Sequence, residues 1–132
     1  MRFLRKRIDK FRSKIPRIHA LRKNGLRAAL VTRAAGTPSI TYGVETCGMS
    51  DSHLDVARSV VARAAAPEGG GKDPNLVLLT LDGAAGTLDP AFDAHVLPIQ
   101  RWAQAVFEGW QPHDNLRISF NHAAQKVSSI SR

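Results

Sequence analysis

The chain has 132 residues, 19 of them Lys or Arg and 11 Asp or Glu, for a formal charge of +8. That length fits one domain, or one piece of a longer chain, and buries a little under about 70% of the unfolded surface, enough for an unstapled core. With 43% hydrophobic and 23% charged residues the composition excludes intrinsic disorder, and a lone cysteine, Cys47, excludes a disulfide framework and a cysteine-based zinc site.

The charge is concentrated at the start. Residues 1–33 carry twelve basic residues against Asp9 alone, a net of +11, while residues 34–132 carry seven against ten acids, a net of −3. A basic arm on a mildly acidic body points to an anionic partner, nucleic acid first among them. Within 2–15, Leu4, Ile8, Phe11 and Ile15 recur at i, i+4, i+7 and i+11, the spacing of a helix with one narrow apolar stripe. Arg7 and Lys14 flank that stripe, and Arg2, Arg5, Lys6, Lys10 and Arg12 lie off it. Pro16 interrupts the helix, because it has no N–H to donate. A second basic helix through Ile18 and Leu21 stops at Asn24-Gly25, where glycine accepts the left-handed conformation that ends helices.

Residues 26–35 resume a helical pattern that Gly36 should end, and Thr37-Pro38 carries a new start signal, a hydroxyl cap before a first-position proline. The segment it opens has a period ambiguous between helix and strand. Ser52 with Asp55 resembles a capping box. Leu54, Ala57, Val61 and Ala64 follow at helical spacing, their small side chains suited to close approach of a neighbour. Glu68 to Lys72 reads as a flexible linker, which predicts a basic helical region over 1–67, a glycine-rich linker over 68–75 and a helical region over 76–132.

Asp73-Pro74 opens the apolar run 75–81, taken as a buried helix since no second run could pair with it as a strand. Asp89-Pro90 opens the strongest pattern: Phe92, Val96, Ile99, Ala103, Val106 and Trp110 at 4-3-4-3-4 spacing, with Pro98 off the stripe. Asp114 can cap a last helix striped by Leu116, Phe120, Ala123, Val127 and Ile130. The prediction is all-α: an irregular bundle of about five to six helices with a basic N-terminal helical hairpin.

The residues offer little chemistry. The GGGK string lacks both the leading glycine of a phosphate loop and its Ser or Thr, and Asp73 in that place would repel phosphate. No two of the five histidines have the spacing that pairs imidazoles on one helix face, so no metal is implied, and His95 reads as a packing residue. Cys47 has no base nearby in sequence and reads as buried. Trp102 and Trp110 read as core anchors.

One stretch carries a resemblance. Pro38, Tyr42, Gly43 and Glu45 match a Pro-x-x-x-Tyr-Gly-x-Glu segment that follows a Lys/Arg-rich helical stretch. That arrangement resembles the region after the catalytic palm in non-LTR retrotransposon reverse transcriptases. The strings DPAFDAH and RWA further along resemble one branch of such elements, and the likeness spans roughly residues 2–110. The paired-Asp motif of the palm is not in the sequence. The resemblance therefore implies a thumb-like and connecting fragment of an RNA-directed DNA polymerase, without catalytic activity or cofactor of its own. Its partners would be the RNA or DNA backbone, gripped non-specifically through phosphates, and a missing palm domain. On that reading Arg5, Lys6, Arg12, Arg22, Lys23 and Arg27 hold the backbone. Pro38, Tyr42, Gly43 and Glu45 are structural, with Tyr42 packed, its hydroxyl bonded, and Gly43 admitting a close helix contact. Loss of the palm would leave part of Leu4, Ile8 and Phe11 uncovered. The alternative is a helical protein–protein interaction module with no nucleic-acid role. With no apolar stretch of signal-peptide or membrane-span length, the expected location is intracellular, nuclear or cytoplasmic, with no membrane partner.

Overall fold

In the computed structural model, which describes residues 2–66, 71, 73–82 and 86–130, helices account for most of the described residues and no strand occurs among them. In order these are α1 (Arg2–Arg12), α2 (Ile15–Lys23), α3 (Ala28–Val31), a π-helical turn (Thr32–Gly36), α4 (Thr37–Thr41), α5 (Val44–Cys47), α6 (Asp51–Ala65), α7 (Pro74–Asp82), α8 (Pro90–Phe107) and α9 (His113–Ile130). Six of them run nine residues or more. The chain divides into two compact units, Met1–Pro98 and Ile99–Arg132, so α8 contributes to both.

The first unit is built around α6. Leu54, Ala57, Val60, Val61, Ala62, Ala64 and Ala65 are all buried there, which spreads burial around most of the helix. Small side chains permit that, since several helices can approach one axis only where little projects from it. The first helix packs on α4 and α6, the second on α3 and α6, and α7 lies along α6 from the far side of the glycine-rich segment. Residues 67–70 and 72 of that segment lie outside the described residues. The helices on its two sides belong to one compact unit, and α7 already begins at Pro74.

The apolar stripe of the arm is the edge of this core. Ile8, Phe11, Ile15 and Ile18 are buried, and Leu4 packs against them. The exposure expected of part of Leu4, Ile8 and Phe11 is therefore corrected for Ile8 and Phe11, which α4 and α6 cover, while Leu4 is half-buried. Ser13 and Lys14 turn the chain between α1 and α2, their N–H groups donating to the carbonyls of Asp9 and Phe11. Gly25 has φ +88° and closes α2.

The expected break at Gly36 and restart at Thr37 do not occur. Backbone from 28 to 41 stays helical through the π turn, and Gly36 is buried inside it. Glycine here answers packing instead: a Cβ on Gly36 would lie 2.5 Å from the Phe11 ring, so the residue admits an aromatic neighbour. Likewise α6 opens at Asp51 with Ser50 at its cap, and the Ser52–Asp55 box does not form. Ser50 Oγ instead lies 2.7 Å from His53 Nδ1.

Polar groups fasten the start of α8 to the earlier helices. Asp82 is buried, and its two carboxylate oxygens accept the N–H groups of Leu88 and Asp89 at 2.9 and 3.0 Å. Thr37 Oγ1 donates to the Leu88 carbonyl at 2.8 Å, and Thr41 Oγ1 to Asp93 Oδ2 at 2.7 Å. Arg58 grips Asp89 with both nitrogens of its fork, at 3.0 and 2.8 Å, while Asp89 Oδ1 accepts the Ala91 N–H and caps α8 as expected. That hydrogen bond, more than the nearby acidic charges, raises the Arg58 guanidinium above its ordinary pKa against the opposing effect of burial.

The second unit pairs the end of α8 with α9 across a turn at 108–112. Trp102 and Phe120 meet with ring centroids 5.8 Å apart. Arg101 lies over the Trp110 ring, whose Nε1 donates to Glu108 at 2.6 Å. None of the described residues of this unit is fully buried. Trp102 and Trp110, expected as core anchors, are 46% and 48% exposed. A heptad-like stripe says which face of a helix wants cover, not that the same chain supplies it.

Candidate nucleic-acid interface

An amphipathic helix seated on a core has to aim its cations outward. With Leu4, Ile8 and Phe11 turned into the core, Arg5, Lys6 and Arg12 are all exposed on α1. Arg22 and Lys23 are exposed in the last turn of α2, and Arg27 is exposed just before α3, across the turn at Gly25. The six residues expected to hold phosphate are thus at the surface, but they do not converge on one groove.

Two flanks of α1 differ in kind. On one, Arg5 and Arg12 line a groove of about 350 Å³ between α1 and the start of α6, with Ser52 and His53 opposite. Asp9 lines the same groove and lies 3.8 Å from Arg12. The sole acid of the arm therefore sits on this flank and offsets part of its charge.

The other flank was not singled out from the sequence. Phe3, Arg7, Lys10 and Lys14 recur at i, i+4, i+7 and i+11, one residue behind the buried stripe. At about 100° per residue the first three, which lie on α1, fall within an arc of about 60°, and Lys14 follows in the turn after the helix. Phe3 is 76% exposed, and Lys10 and Lys14 are exposed. Arg7 is half-buried because it reaches across to the segment after α4. Its guanidinium donates to the Tyr42 carbonyl and lies over the Tyr42 ring, 5.1 Å from the centroid. Phe3, Arg7, Tyr42, Cys47 and Met49 line a second groove of about 220 Å³. The signal was present in the register of α1; its partner, 35 residues away, was not.

Several expectations are corrected here. Tyr42 is not packed: 72% of its surface is exposed, and its contact is the cation above its ring, because α4 ends there and turns the side chain out of the core. Gly43 admits no close helix. A Cβ there would meet only Arg7 Nη1, at 3.9 Å, and the position needs glycine because its φ is +78°. Pro38 lies exposed within α4, and Glu45 is half-buried in the first turn of α5. Cys47 and His95 are exposed rather than packed, Cys47 because the short α5 presents it to the groove.

Among the described residues no three His, Cys, Asp or Glu side chains gather as a metal site would require. No helix of the described residues is long and apolar enough to cross a membrane. No protein family, no curated protein and no solved structure matches the chain.

Proposed function

We propose that the chain binds the phosphate backbone of RNA or DNA without base specificity, as a non-catalytic, thumb-like fragment of a retroelement RNA-directed DNA polymerase. One observation carries the binding part of this reading. The arm of +11 is not a loose tail: its apolar stripe is locked into the core, so its cations are held outward on a fixed scaffold. A fixed array loses less side-chain freedom on meeting a regular phosphate lattice than a disordered one does. The assignment to a polymerase thumb rests on the resemblance alone, carried by Pro38, Tyr42, Gly43 and Glu45 after the basic stretch and by the DPAFDAH and RWA strings.

Fluorescence anisotropy with a labelled RNA–DNA hybrid tests the reading. Binding is expected near the micromolar range at low salt, weakening steeply as salt rises. Replacing Arg5, Lys6, Arg12, Arg22, Lys23 and Arg27 together by Gln should flatten the salt dependence. Absent or salt-independent binding of every nucleic-acid probe defeats the proposal.

A second reading, a helical protein–protein interaction module, is favoured by a different observation. In the second unit Ile99, Trp102, Phe107, Trp110, Phe120 and Val127 are all at least 46% exposed. Covered by a partner they would remove on the order of 600 Å² of apolar surface per chain. A second copy of the chain would double this to about 1,200 Å², the lower end of specific interfaces. A clean monomer at every concentration in sedimentation velocity rules out the second-copy form of this reading.

A further inference from the structure

We propose that the groove between α1 and the Tyr42–Ser50 segment takes an unpaired nucleobase of a single strand, stacked on Tyr42, while Lys10 and Lys14 follow the adjoining phosphates. The inference rests on the nucleic-acid reading above and narrows it to a strand type and a stacking residue.

Four observations support it. First, two aromatic side chains, Phe3 and Tyr42, are left largely exposed on the same groove. Burying either would stabilise the fold, so their exposure calls for an external occupant more than a scattered surface leucine does. Second, Arg7 covers one face of the Tyr42 ring, and the ring's high exposure leaves the other face open. A guanidinium behind an aromatic ring polarises it and fixes its plane, which makes a rigid platform for a further flat ring. Third, at about 220 Å³ the groove is smaller than the roughly 300 Å³ at which drug-sized pockets begin. It has room for one planar ring. Fourth, the charge runs on from the aromatics. Lys10 continues the Phe3–Arg7 row along α1, Lys14 follows in the turn after it, and Asp9 lies on the opposite flank.

Aromatic platforms beside a cationic track are how proteins hold single strands: the track takes the backbone, and each ring takes a base that has no stacking partner of its own. In a duplex the bases already stack on each other, so Phe3 and Tyr42 would have nothing to receive. The platform discriminates by availability of a base, not by its identity, because every base has a π-face.

The test compares two labelled 20-mers of equal charge, oligothymidylate and an abasic strand with the same phosphates. The intact chain should bind the thymidylate strand about ten-fold more tightly than the abasic one. Tyr42→Ala should remove that difference while leaving affinity for the abasic strand unchanged, and Tyr42→Phe should keep it. Lys10→Gln with Lys14→Gln should weaken both strands and lower the slope of log affinity against log salt by about 1.4. Equal affinity of the intact chain for the two strands overturns the proposal, as does a Tyr42→Ala variant that weakens both in parallel. Either result leaves backbone binding standing. Failure of salt-dependent binding to the RNA–DNA hybrid as well would overturn the underlying reading.

Discussion

At Gly36 two local preferences oppose each other. In a helix interior alanine is favoured over glycine by about 1 kcal/mol. Against that, an added Cβ would stand 2.5 Å from the ring of Phe11, which is buried and closed in by α4 and α6. Overpacking of a tight core costs about 1–3 kcal/mol, so the contact decides the sign. Gly36→Ala is expected to lower stability by up to about 2 kcal/mol after the propensity gain. Urea unfolding followed by circular dichroism measures it, and a stabilised variant would mean that the ring moves aside. Asp82 is the second residue where one atom group decides. It holds the N–H groups of Leu88 and Asp89 at once, in a nearly dry setting. An amide in its place accepts through one oxygen and turns an NH2 against the other donor. Asp82→Asn should therefore cost about 1–3 kcal/mol by the same measurement, and a neutral result would mean that the 82–90 connection re-forms around a different acceptor.

Among the elements, the helices whose pattern could be read from sequence are those with one stripe and one neighbour. Leu4, Ile8, Phe11 and Ile15 read as a single narrow stripe, and the structure buries Ile8 and Phe11 on α1 and Ile15 at the start of α2, with Leu4 packed against them. Small residues in α6 signalled close approach, and the neighbours are there. The π turn was not legible, and neither was the contact at its end: Phe11 packs against Gly36, and neither residue's neighbours in sequence reveal it. The Tyr42 groove escaped for the same reason, since Arg7 and Tyr42 meet only once α1 and α4 have packed. Asp89 shows both sides. Its capping role was legible from the Asp-Pro pair, but its grip on Arg58, 31 residues earlier, was not. That grip is a two-pronged one, so its charge alone does not replace it. Arg58→Lys keeps the cation but loses the fork, and should cost about 1 kcal/mol, read as a lower unfolding midpoint. An unchanged midpoint would mean that the Coulomb attraction carries the whole interaction.

For the whole molecule, the two compact units differ in what holds them. Every fully buried residue among those described lies between Ile8 and Pro90, inside the first unit. The second spans 34 residues, 99 to 132, with no disulfide available to it, and chains below about 40 residues rarely fold without a staple or a partner. Two consequences can be separated by experiment. A chain ending at Pro98 keeps the entire core and the whole basic arm. It should unfold cooperatively at nearly the urea midpoint of the intact chain and bind the RNA–DNA hybrid with nearly the same salt dependence. Loss of cooperative unfolding would show that residues 99–132 do stabilise the core. If the exposed stripe of the second unit joins two copies, the intact chain should sediment as a dimer at high concentration. The variant Ile99→Gln with Val127→Gln should then shift it to monomer without changing the midpoint measured at high dilution. Both side chains are exposed on the stripes of α8 and α9, so neither substitution opens a cavity. A dimer that survives both changes would place the contact on another surface, and the apolar face of the second unit would lose its claim as the interaction site.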